Sequence, residues 1–205
     1  STGNINDGSC GKVIGGYNFC VNGACTQQNQ NPIDDNGHGT HVACIVASTN
    51  TTNRGIAPDA NIVAIKSLNA SGAGTTQNVI DGINWCVYNS SIFNISVISM
   101  SLGGNTLYTG HCDDSDPGTA TAINAAIAKN ISVIVATGND EDSNGITDPA
   151  CIRNSTAIGS TTKSNGISSF SNRNNLTDLL APGSSITSLR ANGASTTGCS
   201  VLDSY

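Results

Sequence analysis

The residues of this chain best able to do chemistry lie in Asp34-Asp35-Asn36-Gly37-His38-Gly39-Thr40-His41-Val42-Ala43. An imidazole takes up and returns protons near neutral pH. His38 stands between two glycines, which let the backbone turn tightly and let a substrate come close. Apolar residues then recur at helical spacing (Val42, Ile45, Val46), so a helix is predicted to begin here with His38 at its mouth, where a general base could be offered. His38 and His41 share a helix face and could equally be two ordinary helix-start histidines or half of a metal site. No glutamate lies between them and no third ligand stands at a recognisable offset, so no metal is assigned.

The elements that must position such a base follow from an alternation of short β-branched runs with longer helical patterns. Residues 12–17, 61–68, 95–101, 131–136 and 156–160 read as strands, and 38–48, 76–88 and 119–129 as helices between or after them. That order predicts a parallel sheet, and the nearly continuous apolar run 131–136 suits a strand buried on both faces. Ligands bind beyond the carboxyl ends of such strands. Segments 101–104 and 137–139 both fall at strand ends, so candidate site residues should converge there for a topological reason. We read residues 1–205 as one domain, with no repeat, linker, leader or membrane-spanning segment.

Composition narrows the function. An apolar content of 37% over 205 residues supports a real core, and 8 Lys+Arg against 14 Asp+Glu argue against nucleic acid or an acidic membrane surface as partner. Eight cysteines are more than a reducing cytosol usually keeps, so several disulfides and a secreted, oxidising setting are predicted. Loop context points to Cys112 with Cys151, and to Cys20 with Cys25 or Cys10. Cys44, inside a predicted helix, is the expected exception. Asn-x-Ser/Thr triplets at Asn50, Asn69, Asn89, Asn94, Asn130, Asn154 and Asn175 are compatible with a glycosylated exterior, but a chain this rich in Asn, Ser and Thr makes them by chance.

The segment 36–43 resembles the histidine motif of the subtilisin-like serine proteases, and further matches follow in that family's order. Gly55-Ile56-Ala57-Pro58-Asp59-Ala60 resembles the turn entering a central strand. Ile98-Ser99-Met100-Ser101-Leu102-Gly103-Gly104 resembles the strand lining the primary specificity pocket. Val133-Ile134-Val135-Ala136-Thr137-Gly138-Asn139 resembles the strand ending in the oxyanion-hole asparagine, and Leu180-Ala181-Pro182-Gly183 the approach to the nucleophile. The resemblance runs from about Lys12 to Ser200. It implies a doubly wound parallel α/β sheet with helices on both faces, and a secreted Ser/His/Asp endopeptidase acting on polypeptide.

Roles follow from that resemblance. A serine hydroxyl is a poor nucleophile until an imidazole accepts its proton. Ser200, in Gly198-Cys199-Ser200 where the family has Gly-Thr-Ser, is the candidate partner of His38. The Asn139 amide would donate to the oxygen that becomes negative in the tetrahedral intermediate. Ser101, Leu102 and Gly103, with Gly72, Ala73 and Gly74, would supply backbone edges to which an extended peptide adds as a strand, and Ala136, Thr137 and Gly138 would complete the pocket wall.

The family's aspartate strand is not found. Ser1-Thr2-Gly3 could be its degenerate form, or the chain could start downstream of it; the polar, Gly/Asn-rich character of 1–11 favours the second. Asp7 lies in a turn signature and is not assigned. Val201-Leu202-Asp203-Ser204-Tyr205 also departs from the family's Met-Ala-x-Pro-His run. Both ends look cut, and the 205-residue chain alone is expected to have little activity. No cofactor is expected. Structural calcium through Asp113, Asp114 and Asp116, or Asp140, Glu141 and Asp142, lacks a recognisable spacing and is not assigned. Two other classes fit parts of this pattern: a catalytically inactive homologue that binds peptides, and an α/β-hydrolase esterase. The esterase is disfavoured because His38 precedes Ser200 and Leu202 replaces the second glycine of its Gly-x-Ser-x-Gly elbow.

Overall fold

The computed structural model describes residues 12–21, 25, 27–191 and 199–204, with the backbone alone for 189–191 and 199–204. The chain packs into two compact units, Ser1–Gly82 with Thr187–Tyr205, and Ile83–Ile186. Ser1, Asp7, Cys10 and Gly198 lie outside the described residues.

In the first unit β1 (Val13–Asn18) pairs in parallel with β2 (Ile62–Lys66), and α1 (His38–Ala47) lies on the crossover between them. A Cβ on Gly16 would run into the Ala64 carbonyl and Pro32, so only glycine lets the two strands meet there. The disulfide Cys20–Cys25 follows β1, selecting Cys25 over Cys10 as partner. Strands β9 (Thr187–Ala191) and β10 (Cys199–Ser204) form an antiparallel pair. The Ser188 hydroxyl donates to the His41 carbonyl at 2.9 Å, tying β9 to α1. Helix α2 (Thr76–Tyr88) starts in this unit and ends in the other. Thr75 and Asn78 cap it reciprocally, Thr75 N donating to Asn78 Oδ1 and Asn78 N to Thr75 Oγ1, both at 3.2 Å.

The second unit is built on a parallel sheet in the order β3-β5-β7-β8, comprising β3 (Val97–Met100), β5 (Ser132–Ala136), β7 (Thr156–Thr161) and β8 (Leu179–Pro182). A short α3 (Ser90–Phe93) precedes β3, and α4 (Pro117–Ile127) leads into β5. Strands β4 (Leu107–Tyr108) and β6 (Ile146–Thr147) form a small antiparallel pair. Helix α4 begins two residues before the predicted start because Asp116 caps it, accepting from Thr119 N at 3.1 Å, with Pro117 opening the first turn. Ile123, Ala126, Val133, Val135, Ile146 and Ile152 form the core. The prediction that β5 is buried on both faces needs correcting: Val133 and Val135 are fully enclosed, but Ile134 and Ala136 are only half-buried. The disulfide Cys112–Cys151 forms as predicted. Cys44 and Cys86 are both buried thiols, pushed by burial up to about 11 and about 12, so Cys86 joins Cys44 as an exception.

Candidate active site

In the first unit the histidine is mounted by a carboxylate the sequence reading passed over. Asp34 Oδ1 accepts from Asn36 N at 3.0 Å and Gly37 N at 2.8 Å, while Oδ2 accepts from Thr40 N at 2.8 Å and Thr40 Oγ1 at 2.7 Å. The helix N-cap, Gly37, sits at φ 103 and offers no side chain of its own. Asp34 therefore caps α1 from three residues further back, bonding amides that would otherwise be orphaned at its start. Burial alone would raise the Asp34 carboxyl, but the hydrogen bonds from Gly37, Thr40 and Asn36 together outweigh it and hold the group below its ordinary value. His38, half-buried, is thus the first residue of a helix whose entry is fixed.

Asn36 links this entry to a second predicted element. Its Nδ2 donates to the Ala70 carbonyl at 2.9 Å. The loop that follows is closed on Asn69, whose Oδ1 accepts from Ser71 N at 2.9 Å and Ala73 N at 3.0 Å. Gly72, Ala73 and Gly74 are exposed on it, with Gly72 at φ 78. The structure therefore brings His38 and the Gly72–Ala73–Gly74 edge into one hydrogen-bonded cluster.

In the second unit Thr147 and Asp148 join the ends of β3 and β5. Gly104 N donates to the Asp148 carbonyl at 2.8 Å, and Thr147 N to the Thr137 carbonyl at 3.0 Å. A Cβ on Gly103 would strike Thr147 Oγ1, which is why glycine stands at the end of the Ser101-Leu102-Gly103 segment. Thr137 is 1% exposed and turns its hydroxyl inward to the Asn172 carbonyl at 2.7 Å, while its N–H donates to the Ile158 carbonyl at 3.1 Å. Gly138 adopts φ 106, a left-handed turn natural to glycine.

Asn172, fully buried, fastens the turn after Gly138. Its Oδ1 accepts from Asp140 N at 2.8 Å and Asp142 N at 3.1 Å, its Nδ2 donates to Asp140 Oδ2 at 2.8 Å, and its own N donates to the Gly138 carbonyl at 3.0 Å. Asn139 rides on this turn, exposed, and among the described residues nothing accepts from its amide. Neither Asn172 nor Asp148 carries a motif spacing. Asp34, in Asp34-Asp35-Asn36-Gly37, was legible as an Asx-turn residue.

Ser200 lies in β10 at the bulge between Cys199 and Val201, and no helix starts there. Several acids of the 113–116 and 140–142 segments are engaged in local structure. Asp113 Oδ2 accepts from Arg153 N at 3.2 Å, Asp116 caps α4, and Asp142 Oδ1 accepts from Asn144 N at 2.7 Å and Gly145 N at 2.6 Å. A cluster of Cys112, Asp148 and Cys151 has both sulfurs in a disulfide, which removes the thiolates a metal would need.

The family model described as "Subtilase family" matches residues 15–204, and the chain belongs to that family. It is 38% identical over 202 residues to serine protease AprX of Bacillus subtilis, covering 88% of this chain and 44% of that protein. It is 38% identical over 150 residues to a cuticle-degrading serine protease of Arthrobotrys oligospora, covering 73% of this chain and 34% of that one. The crystal structure of a cold adapted subtilisin-like serine proteinase matches with a TM-score of 0.74 at 35% identity, over 96% of this chain and 66% of that one. The fold is thus the subtilisin-like α/β arrangement of parallel strands and helices. The chain spans less than half the length of the two curated relatives.

Proposed function

We propose that this chain carries the reacting groups of a serine endopeptidase. The observation that carries the reading is Asn139: an exposed amide donor on a turn whose neighbouring polar groups are tied down by Asn172. A donor held in place before the reaction costs no reorganisation when charge develops on a substrate oxygen. In this reading Ser200 Oγ attacks a peptide carbonyl while His38 takes its proton. Asn139 stabilises the resulting oxyanion, and His38 returns the proton to the leaving amine. Water then hydrolyses the acyl-enzyme by the same route. The polypeptide adds along Ser101-Leu102-Gly103 and Gly72-Ala73-Gly74, with Ala136, Thr137 and Gly138 as pocket wall. The disulfides Cys20–Cys25 and Cys112–Cys151 support a secreted protein. No aspartate is assigned to orient His38, and losing that partner costs about 10⁴ in kcat, so the 205-residue chain alone is proposed to turn over slowly.

The test is to treat the 205-residue chain, and a longer chain supplying an aspartate strand, with a fluorophosphonate probe and an unstructured protein substrate. The longer chain should label at Ser200 and cleave the substrate; His38→Ala should abolish both, and Asn139→Ala should slow cleavage by about 10²–10³. Peptide binding without labelling in either chain would overturn the peptidase reading in favour of an inactive peptide binder.

A further inference from the structure

Two carboxylic acids of the second unit keep buried oxygens that bond to nothing. Asp116 Oδ2 and Asp148 Oδ1 are shielded from solvent without a hydrogen-bond partner, as is Thr119 Oγ1. Asp116's other oxygen, and the main chain of Asp148, are committed to the backbone. Asp116 Oδ1 caps α4 through Thr119 N, and the Asp148 carbonyl accepts from Gly104 N at 2.8 Å. The disulfide Cys112–Cys151 holds together the two segments that carry the acids, reinforced by Cys112 N donating to the Cys151 carbonyl at 3.1 Å.

An ionised carboxylate can only accept hydrogen bonds, so two facing carboxylates cannot satisfy one another. One proton changes that, because a carboxyl O–H on either acid donates to the other and supplies both orphaned oxygens at once. Burial pushes the Asp148 carboxyl up to about 6, helped by the negative charge of Asp116 and by the hydrogen bond that a protonated carboxyl makes to it. The disulfide sulfurs lie within 4.8 Å of an Asp148 oxygen, Asp113 is turned to the Arg153 amide, and His111 Nδ1 sits against the Cys151 carbonyl at 3.2 Å. Among the described residues no cation pairs with either acid.

We propose that Asp116 and Asp148 share a single proton, and that the protonated pair makes Asp148 a positioning residue for the substrate edge at Ser101, Leu102 and Gly103. The second half rests on the proposed function; the first does not. Thr147 and Asp148 hold the end of that edge through Gly104 and hold β5 through Thr137, so whatever fixes the Asp148 side chain fixes both walls. When the proton leaves, two like charges face each other in a partly desolvated site and push this bridge apart. Because the folded carboxyl sits above its unfolded value, the folded state binds the extra proton between about pH 4 and 6, and stability falls as pH rises through that window.

The experiment compares the full chain with Asp148→Asn, whose amide N–H is a permanent donor to Asp116, and with Asp148→Ala, which has none. Carboxyl carbon NMR should show one group of the wild type titrating near pH 6, absent in Asp148→Asn. The melting temperature should drop by several degrees from pH 5 to 7.5 in the wild type and stay level in Asp148→Asn, while Asp148→Ala stays low throughout. Gly104 amide exchange, corrected for the intrinsic rate, should accelerate several-fold over the same range only in the wild type. In a chain that labels with fluorophosphonate, KM for peptide should rise through pH 6 in the wild type and not in Asp148→Asn. Both acids titrating below pH 5 would overturn the shared proton. A step near pH 6 with unchanged Gly104 exchange and KM would overturn the positioning role. A chain that never labels would instead tell against the peptidase reading and leave the NMR, melting and exchange results standing.

Discussion

His38 and Asn139 each follow a left-handed glycine and each depend on one polar side chain that fastens the local backbone, but the two fasteners lie at very different distances along the chain. Asp34 bonds Gly37 three residues on, whereas Asn172 bonds Asp140 32 residues back. The first mount is thus a local device, complete once a short stretch of chain is made. The second exists only after β7 and the segment behind it have folded. Long-range placement also makes the second mount the more demanding one, since Asn172 is fully buried and serves several partners, while Asp34 is half-buried at a helix entry.

That contrast breaks if the remote fastener proves the cheaper to lose. Asn172→Ala leaves the Asp140 and Asp142 amides without their acceptor, and each such loss costs about 1–3 kcal/mol. We expect a loss of about 3 kcal/mol in urea unfolding, with accelerated amide exchange at both positions. Exchange at Thr40 in α1 should be unaffected. Asp34→Ala removes a helix cap and should cost less, about 1–2 kcal/mol, with exchange accelerated at Gly37 and Thr40 alone.

Acidity sharpens the comparison, because the fastener of the first mount is a carboxylate and that of the second is an amide. The Asp34 carboxyl is held below its ordinary value, so its contribution is fully present above the usual carboxylate range and is lost as pH falls beneath it. Thr40 amide exchange measured on an acid series should rise below about pH 4 in the wild type and show no such step in Asp34→Asn. The smallest effect is expected at the neighbouring ion pair, where Lys66 Nζ meets Asp35 Oδ1 at 2.6 Å with the Asp35 side chain 36% exposed. Lys66→Met should change unfolding free energy by about 0.5 kcal/mol, since the pair opens to solvent on its Asp35 side and is screened there.

The same distinction of range explains what could be read in advance. Helix α2 is legible at both ends and α1 at its first residue, because periodicity, and at α1 the flanking Gly37, are contained within a few positions. The strands β1, β2, β5 and β7 were legible as β-branched runs, and Asn139 as a polar residue in a glycine turn at a strand end. The pairing of β4 with β6 was not, since each is two residues long and finds its partner only through the fold. Asn172 was invisible for the same reason: within Ser168-Ser169-Phe170-Ser171-Asn172 nothing marks one polar residue as buried. The acids 113–116 and 140–142 drew attention as possible ion ligands, and the structure shows several of their carboxylates serving as caps and turn acceptors.

The first unit is discontinuous along the chain. Its opening portion ends at Gly82 and its remainder begins only at Thr187, with the whole of the second unit encoded between them. During synthesis, then, the helix bearing His38 leaves the ribosome long before Ser188 exists to bond the His41 carbonyl. The intervening unit, contiguous and fastened by its own disulfide, can close while the earlier segment still waits for β9 and β10. The unit that is begun earlier on the ribosome thus depends on strands made later than the whole of the other.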